Sequence, residues 1–174
     1  MLESKNIILR GLEHDDLILL HKWMNKFELL IKLLRIEPSI NYFTEKWYIN
    51  VNSDKRKKIF AIEEKTTNCF IGCVGANDID YIDRKANFYI YIGDETFRGK
   101  GYSKEAIHTF LMYMFGYYNL NKIYLEVKVN NLIAINLYKK TGFKQEGLFK
   151  KEKYIDFRYI DIIRMAILRD DYKK

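Results

Sequence analysis

The chain has 174 residues, of which 48% are hydrophobic and 30% are charged, and it contains a single proline. This composition is typical of an ordered globular domain and excludes a low-complexity or intrinsically disordered chain. The formal net charge of +7 favours an anionic partner, which leaves nucleic acid, a membrane surface and a phosphorylated ligand open. The densest basic run, Lys55 to Lys58, has no interleaved aromatic residue, and we interpret it as a solvated loop.

Nothing in the sequence indicates a membrane segment or a metal site. No apolar stretch is long enough to span a bilayer, and the first residues lack the pattern of a signal peptide, so we expect a cytoplasmic protein. Cys69 and Cys73 lie four residues apart in a predicted strand, too far apart to bridge well. We interpret both as small buried apolar residues, and we predict no bound metal.

Short strand and helix patterns alternate in the amino-terminal part of the chain. A first strand is predicted over Ile7 to Arg10, and a helix with an acidic first turn follows to about Met24. An almost wholly apolar helix is predicted from Phe27 to Ile36, before Pro38 stops it. Thr44 predicts the N-cap of a further short helix.

Apolar alternation predicts the strands that follow. Ile59 to Ile62 and Phe70 to Val74 predict a hairpin, and the acidic stretch from Asn77 to Arg84 predicts a turn. In the next strand, Ala86 to Ile92, apolar side chains alternate with polar and aromatic ones, so its two faces differ.

A crossover unit occupies the next part of the sequence. Helical periodicity predicts a helix from Ser103 to Tyr118, and apolar alternation predicts a strand over residues 123–129. This strand and the strand Ala86 to Ile92 are predicted to pair in parallel, with the helix as a right-handed crossover. Asn131 predicts the N-cap of a short helix that Gly142 closes. Two final strands are predicted over residues 143–149 and 159–168, and we therefore predict one mixed α+β domain over residues 1–174.

The junction before the Ser103 helix carries the strongest local signal for a ligand. Two glycines, Gly99 and Gly101, and two cations, Arg98 and Lys100, stand where the amides of a helix N-terminus lack intrahelical partners. Such amides bind phosphate groups together with the helix dipole, and glycine lets the phosphate approach the backbone. Taken alone, this element predicts a phosphorylated ligand only weakly, because basic glycine turns are common.

Two motifs at a fixed separation resemble the Gcn5-related N-acetyltransferase (GNAT) superfamily. The first, Arg98-x-x-Gly101-x-Ser103, is similar to the family's Arg/Gln-x-x-Gly-x-Gly/Ala loop, which holds the pyrophosphate of acetyl-coenzyme A. The second and more specific motif, Asn131 to Phe143, is similar to the family's Asn-x-x-Ala-x-x-Leu-Tyr-x-x-x-Gly-Phe segment.

Further similarities extend over the rest of the chain. The opening Ile8-Leu9-Arg10, the pair Trp47-Tyr48 and the ending Asp161 to Met165 resemble the branch that acts on ribosomal-protein N-termini and on spermidine. The resemblance implies a GNAT-like fold, a mixed twisted sheet flanked by helices, in which a parallel strand pair splays apart and offers backbone groups to the pantetheine arm.

The resemblance also implies how acetyl-coenzyme A, the co-substrate, is held. Main-chain groups at the end of the strand Ala86 to Ile92 would contact the pantetheine arm, and the glycine loop and the Asn131 helix would contact the rest. The cofactor-binding residues that it implies are Tyr91, Ile92, Arg98, Gly99, Lys100, Gly101, Tyr102, Ser103, Lys104, Asn131 and Asn136.

The implied reaction transfers acetyl directly from a thioester to a neutral primary amine through a tetrahedral intermediate. Tyr138 is the implied general acid for the leaving thiolate, although its place on an apolar helix face is also typical of a core aromatic. Many relatives carry an acid at the position of Asn87, and an asparagine cannot serve as a base. The base therefore stays unassigned, with Glu126, Asp78 and Asp80 as candidates.

The acceptor stays open between a peptide or protein N-terminus, a polyamine, and an amino sugar or aminoglycoside. The charge of +7 slightly disfavours spermidine and basic ribosomal proteins, unless a local acidic pocket overrides the global field. Two other classes of function remain: an acyl-coenzyme A-binding regulatory module, motivated by Asn87, and a nucleic-acid binder, which rests on charge alone. We expect no nucleic-acid or membrane partner and leave a homodimer open.

Overall fold

The computed structural model of the protein describes residues 2–35, 37–38 and 41–172. Its strands are β1 Leu2–Glu3, β2 Ile7–Arg10, β3 Lys58–Glu64, β4 Cys69–Asp80, β5 Lys85–Ile92, β6 Lys122–Lys128, β7 Lys144–Ile155 and β8 Arg158–Leu168. Its α-helices are α1 Asp16–Trp23, α2 Phe27–Lys32, α3 Asn41–Ser53, α4 Tyr102–Gly116 and α5 Leu132–Lys140. The strands form one eight-stranded sheet in the order β1-β2-β3-β4-β5-β6-β8-β7.

The sheet separates two apolar clusters of buried side chains. On one face, α4 and α5 pack against it, and Phe110 of α4 is fully buried beside Phe88 of β5. On the other face, α1 packs through Trp23, whose ring lies 4.9 Å from that of Phe70 and 6.5 Å from that of Tyr91. Residues of β5 alternate between the two clusters, which confirms the prediction that the faces of this strand differ.

The parallel pairing of β5 and β6 is short. It covers Lys85 with Lys122, Ala86 with Ile123, and Asn87 with Tyr124. Both strands continue beyond these pairs without contacting each other, β5 held by β4 on its other side and β6 held by β8. The predicted parallel pair, its splaying and its connection through a helix, α4, are therefore confirmed, and the right-handed sense of the crossover stays a prediction.

Several predicted boundaries are wrong. The stretch after Asn77 continues β4 to Asp80 instead of forming a turn, because a register shift and a positive φ of 51° at Asp78 place a bulge within the strand. The helix assigned to a Thr44 cap begins at Asn41, so Thr44 lies inside it and is buried.

The other differences concern α2, the final hairpin and a cysteine. α2 ends at Lys32, and Ile36, where its end was predicted, lies outside the described residues. β7 continues to Ile155, so the turn before β8 contains just two residues, both with positive φ. Cys73 is buried as predicted, but Cys69 is exposed because it is the first residue of β4.

None of the helices in the described residues combines the length and apolar character that a membrane crossing needs. Helix α4, the longest of them, has 15 residues, and a bilayer core requires about 20. Its buried residues follow the inner stripe expected of a helix that covers one face of a sheet.

Close packing of α1 on the end of β5 predicts one stability effect. A Cβ built at Gly93 would lie 2.0 Å from Cδ2 of Trp23, so Gly93→Ala must displace the indole ring. We expect a loss of roughly 1–3 kcal/mol in the free energy of unfolding, as for other overpacked sites, measured by urea denaturation. Gly116→Ala is the control, since nothing lies within 4 Å of a Cβ there. Equal midpoints for the two variants would contradict the Trp23 contact.

Candidate active site

The segment between β5 and α4 leaves a run of backbone amides unpaired. Gly99 and Gly101 adopt positive φ angles of 76° and 90°, and no atom lies within 4 Å of a Cβ built at either residue. The amides of Lys104 and Glu105 donate to the carbonyl of Gly101 and begin the helix. Within the described residues, no hydrogen bond engages the amides of Gly99, Lys100, Gly101, Tyr102 and Ser103.

These amides form a cradle at the N-terminus of α4 that fits the pyrophosphate of coenzyme A. Unpaired N–H groups at a helix start attract anions, and the positive end of the helix dipole adds to the attraction. Lys100 and Lys104 are exposed beside the cradle, with the Lys100 ammonium 5.1 Å from the centre of the Phe97 ring. The structure thus brings together the predicted residues from Gly99 to Lys104.

Arg98 lies between the strand end and this cradle. Its Nε donates to the carbonyl oxygen of Ile92 at 3.1 Å, and its Nη1 lies 3.7 Å from the Glu95 carboxylate. The guanidinium therefore braces the loop against β5 in addition to supplying charge near the amides. Sequence reasoning assigned Arg98 to the phosphate alone, because the motif does not indicate a contact with a backbone carbonyl six residues earlier.

The first turn of α4 is anchored to the β1–β2 connection through Glu105. Its Oε2 accepts hydrogen bonds from Ser4 Oγ at 2.7 Å and from the amide of Asn6 at 2.9 Å. Burial alone raises the pKa of Glu105, but the hydrogen bonds from Ser4 and Asn6 outweigh it and lower the pKa. The ionised carboxylate thereby fixes the helix start that carries the cradle, a role that sequence reasoning missed.

The main-chain groups that face the opening between β5 and β6 differ from the predicted ones. Gly93 donates to Ile71 of β4 at 2.9 Å, and in an antiparallel pair the groups of alternate residues point to opposite sides. Ile90 and Ile92 therefore direct their N–H and C=O groups toward the opening. The Tyr91 carbonyl lies on the β4 side, so its predicted main-chain contact with the pantetheine arm is corrected to Ile90, whereas the position of Ile92 fits.

Tyr138 lies at the mouth of this opening. Its ring packs against Phe88, the first residue of β5 beyond the last parallel pair, with ring centres 6.3 Å apart. Burial raises the pKa of Tyr138 to about 12, so the hydroxyl is a proton donor at neutral pH. Within the described residues, that hydroxyl forms no hydrogen bond and is free to meet a substrate.

The helix that carries Tyr138 begins as predicted. The Asn131 side chain accepts a hydrogen bond from the amide of Ala134 at 3.3 Å, which confirms the N-cap. This bond uses the amide oxygen of Asn131 and leaves its NH2 group for a ligand. Asn136 is exposed one turn further along α5.

Two of the three candidate bases are engaged elsewhere. Asp78 has a 61% exposed side chain and lies 3.7 Å from Arg56. Asp80 closes a turn, where hydrogen bonds from the amides of Asp83 and Ile82 lower its pKa and make it a weaker base. Asp80 is thus held in its turn, whereas Asp78 is close enough for its charge to add to burial in raising the pKa of Tyr124, at the last parallel pair.

The third candidate, Glu126, lies beside that opening. Asn87 is the last β5 residue that pairs with β6, and its partner there is Tyr124. Glu126 follows two residues later on β6, and Arg164 Nη2 donates to its Oε1 at 2.7 Å. Among the residues that the structure describes, no group of three His, Cys, Asp or Glu side chains could hold a metal ion.

The chain is similar to known proteins in both sequence and structure. Residues 6–144 match the acetyltransferase (GNAT) domain family. A spermidine N(1)-acetyltransferase from Vibrio cholerae serotype O1 is 36% identical over 97% of this chain and 96% of its own. The corresponding Escherichia coli K12 enzyme is 32% identical over 99% of this chain and 91% of its own. The structure of the V. cholerae enzyme with CoA and spermine superposes with a TM-score of 0.91 at 35% identity, covering 97% and 99% of the two chains.

The chain therefore belongs to the GNAT acetyltransferase family. It is an acetyl-coenzyme A-dependent N-acetyltransferase that transfers the acetyl group to an amine. This result confirms the predicted family, fold and reaction, and it replaces the alternatives of a regulatory module without turnover and of a nucleic-acid binder.

The conformation of the cradle predicts the effect of a glycine substitution. Gly101→Ala places a Cβ on a residue with a φ of 90°, a conformation that costs an L-residue roughly 1–2 kcal/mol. We expect the dissociation constant for coenzyme A, measured by titration calorimetry, to rise about tenfold. Gly11→Ala is the control, because its φ is not positive and nothing lies within 4 Å of its Cβ. An unchanged dissociation constant for Gly101→Ala would show that coenzyme A does not use this cradle.

Proposed function

We propose that the acceptor is a polyamine of the spermidine class and that the whole chain, residues 1–174, forms the N-acetyltransferase domain. The main support for this proposal is the similarity to spermidine acetyltransferases over nearly the whole length of both chains. One of the similar structures is a complex with CoA and spermine. The net charge of +7 remains unfavourable for attracting polycations from a distance. Contacts within the site, which screening affects much less, outweigh it in this proposal.

The site residues support a binding mode for acetyl-coenzyme A. The amides of residues 99–103 bind the pyrophosphate, with charge from Arg98, Lys100 and Lys104, and the main-chain groups of Ile90 and Ile92 bind the pantetheine arm as an added strand would. Asn131 and Asn136 contact the cofactor from α5. This arrangement leads the thioester through the opening toward Tyr138.

The proposed reaction has one bond formed and one broken. The neutral amine nitrogen attacks the thioester carbonyl carbon, and the carbon–sulfur bond then breaks, leaving the electron pair on sulfur. The Tyr138 hydroxyl donates its proton to that sulfur, which leaves as the thiol of coenzyme A, while the nitrogen loses a proton to solvent. Solvent then returns a proton to the Tyr138 phenolate, so the enzyme ends the cycle as it began. Because burial keeps Tyr138 protonated at neutral pH, the donor is present throughout the working range.

Assembly and location are further parts of the proposal. A structure of the V. cholerae spermidine N-acetyltransferase, 34% identical with a TM-score of 0.82 over 96% of each chain, is dodecameric. By this likeness we propose that the present chain forms a homo-oligomer, where sequence reasoning left a homodimer open. The cytoplasmic location stays a prediction.

The acceptor is tested by thiol release from acetyl-coenzyme A. We expect spermidine and spermine to give kcat/KM values at least about tenfold above those of peptides with free Ser, Ala or Met N-termini, amino sugars and aminoglycosides, a margin of about 1.4 kcal/mol. Mass spectrometry of the products would confirm a single added acetyl group. Turnover of a peptide or an amino sugar with none of either polyamine would overturn the proposed substrate class.

The proposed acid is tested by Tyr138→Phe. Removal of one phenolic proton donor should lower kcat about a hundredfold at saturating amine, as general-acid contributions allow, and should leave coenzyme A affinity unchanged. Tyr172→Phe is the matched control, since the Tyr172 hydroxyl donates to the carbonyl of His108 at 3.0 Å, away from the opening. Full turnover by Tyr138→Phe would remove this residue from the mechanism.

A further inference from the structure

The two faces of the sheet differ at the opening between β5 and β6. Phe88 and Tyr138 belong to the cluster on the α4 and α5 face. Tyr124 stands on the opposite face, because its neighbours Ile123 and Leu125 are buried in that same cluster and strand residues alternate. Glu126, two residues after Tyr124, shares its face, and its side chain retains 22% exposure.

Glu126 lies where β6 has lost its parallel neighbour. Pairing with β5 ends at Tyr124, whereas β8 remains paired with β6 through Lys128. The carboxylate therefore stands on the wall of the opening, on the side away from Tyr138. Among residues 125–128 it is the single acidic side chain, and Lys128 is the single basic one.

Arg164 fixes the orientation of this carboxylate. Its Nη2 donates to Glu126 Oε1 at 2.7 Å, and its guanidinium lies 5.2 Å from the Tyr124 ring centre and 5.0 Å from that of Phe149. The hydrogen bond with Glu126 raises the pKa of Arg164, so its guanidinium keeps its charge beside the carboxylate. Within the described residues, Glu126 Oε2 has no hydrogen-bond partner and can accept one from a substrate.

We infer that Glu126, held by Arg164, binds the amino group of the acceptor and orients it toward the thioester. The inference rests on the acetyl transfer to an amine described above. Asn87 is neutral, Asp80 is held in its turn, and Asp78 is exposed beside Arg56, which leaves Glu126 as the carboxylate on β6 beyond the last parallel pair. A carboxylate on one face and the Tyr138 hydroxyl on the other allow the amine to enter opposite the leaving sulfur.

Lys128 sets a limit on how the acceptor lies. It is on the same face as Glu126, and burial, together with the charge of Arg158, lowers its pKa. A second cationic group of a polyamine would meet repulsion in this direction. The remaining chain of the acceptor therefore extends from Glu126 away from Lys128, along the side of β5.

The test compares two carboxylate-to-amide variants. Glu126→Gln should raise the KM for the amine at least about tenfold, as expected for the loss of a charged hydrogen-bond acceptor, with the KM for acetyl-coenzyme A within twofold of wild type. Glu3→Gln is the matched control, since Glu3 is also ion-paired, with Lys65 at 3.0 Å, on β1 at the other side of the sheet, and the substitution changes the net charge equally. Its KM for the amine should stay within twofold of wild type.

A second pair of variants separates binding from structural damage. Arg164→Lys keeps the charge but loses the planar group between two rings, so it should raise the KM for the amine less than Glu126→Gln does. Lys128→Gln should lower the KM for a polyamine by relieving repulsion. Coenzyme A affinity, measured by calorimetry for each variant, should match wild type if the fold is intact.

The inference is overturned if Glu126→Gln leaves the KM for the amine unchanged, or if it raises the two KM values equally. All measurements use the amine that wild type turns over fastest. Failure of polyamines as substrates would therefore overturn the proposed substrate class and leave the test of Glu126 intact with another amine.

Discussion

The site depends on one constraint, the end of parallel pairing between β5 and β6 after the pair Asn87–Tyr124. Each strand keeps its other neighbour, β4 or β8, so the two diverge without fraying. The divergence leaves the N–H and C=O of Ile90 and the N–H of Ile92 facing a gap, while the Ile92 carbonyl accepts a hydrogen bond from Arg98. Unpaired backbone groups in a protein interior need partners. In the proposed binding mode, an extended acyl carrier supplies these partners, so the place where the sheet parts is also where the substrate is held.

The gap also separates the proposed proton donor, Tyr138, from the proposed amine-binding residue, Glu126. Glu105 holds the start of α4 in place through Ser4 and Asn6, and the proposed binding mode places the anionic end of the carrier at the cradle there. Tyr138 faces the gap from the α5 side, where burial preserves its proton. The other face is where Glu126 stands, so an amine and a leaving thiolate can approach the same carbonyl carbon from opposite sides without competing for space.

Sequence reasoning captured the features that repeat along the chain or occur as motifs. Alternation predicted the two-faced β5, and the spacing from Asn131 to Phe143 predicted the cap and the family. Sequence reasoning failed for features that depend on strand register or on contacts between residues far apart in the sequence. The bulge at Asp78 depends on register with β5, and the direction of the Tyr91 carbonyl depends on pairing with β4. The contact of Glu105 with Ser4 joins residues 101 positions apart, for which no local pattern exists.

The net charge and the likeness to spermidine acetyltransferases point to different acceptors. Charges separated by more than about 8 Å are largely screened at physiological ionic strength, so a sum over the whole surface says little about a site a few ångströms wide. Part of the positive charge, on Arg98, Lys100 and Lys104, surrounds the cradle and meets the phosphates of the carrier. At the proposed acceptor side, Glu126 and Arg164 neutralise each other formally, and the second carboxylate oxygen of Glu126 is the atom that the proposal assigns to the amine. The proposed acceptor therefore rests on local geometry rather than on the total charge of +7.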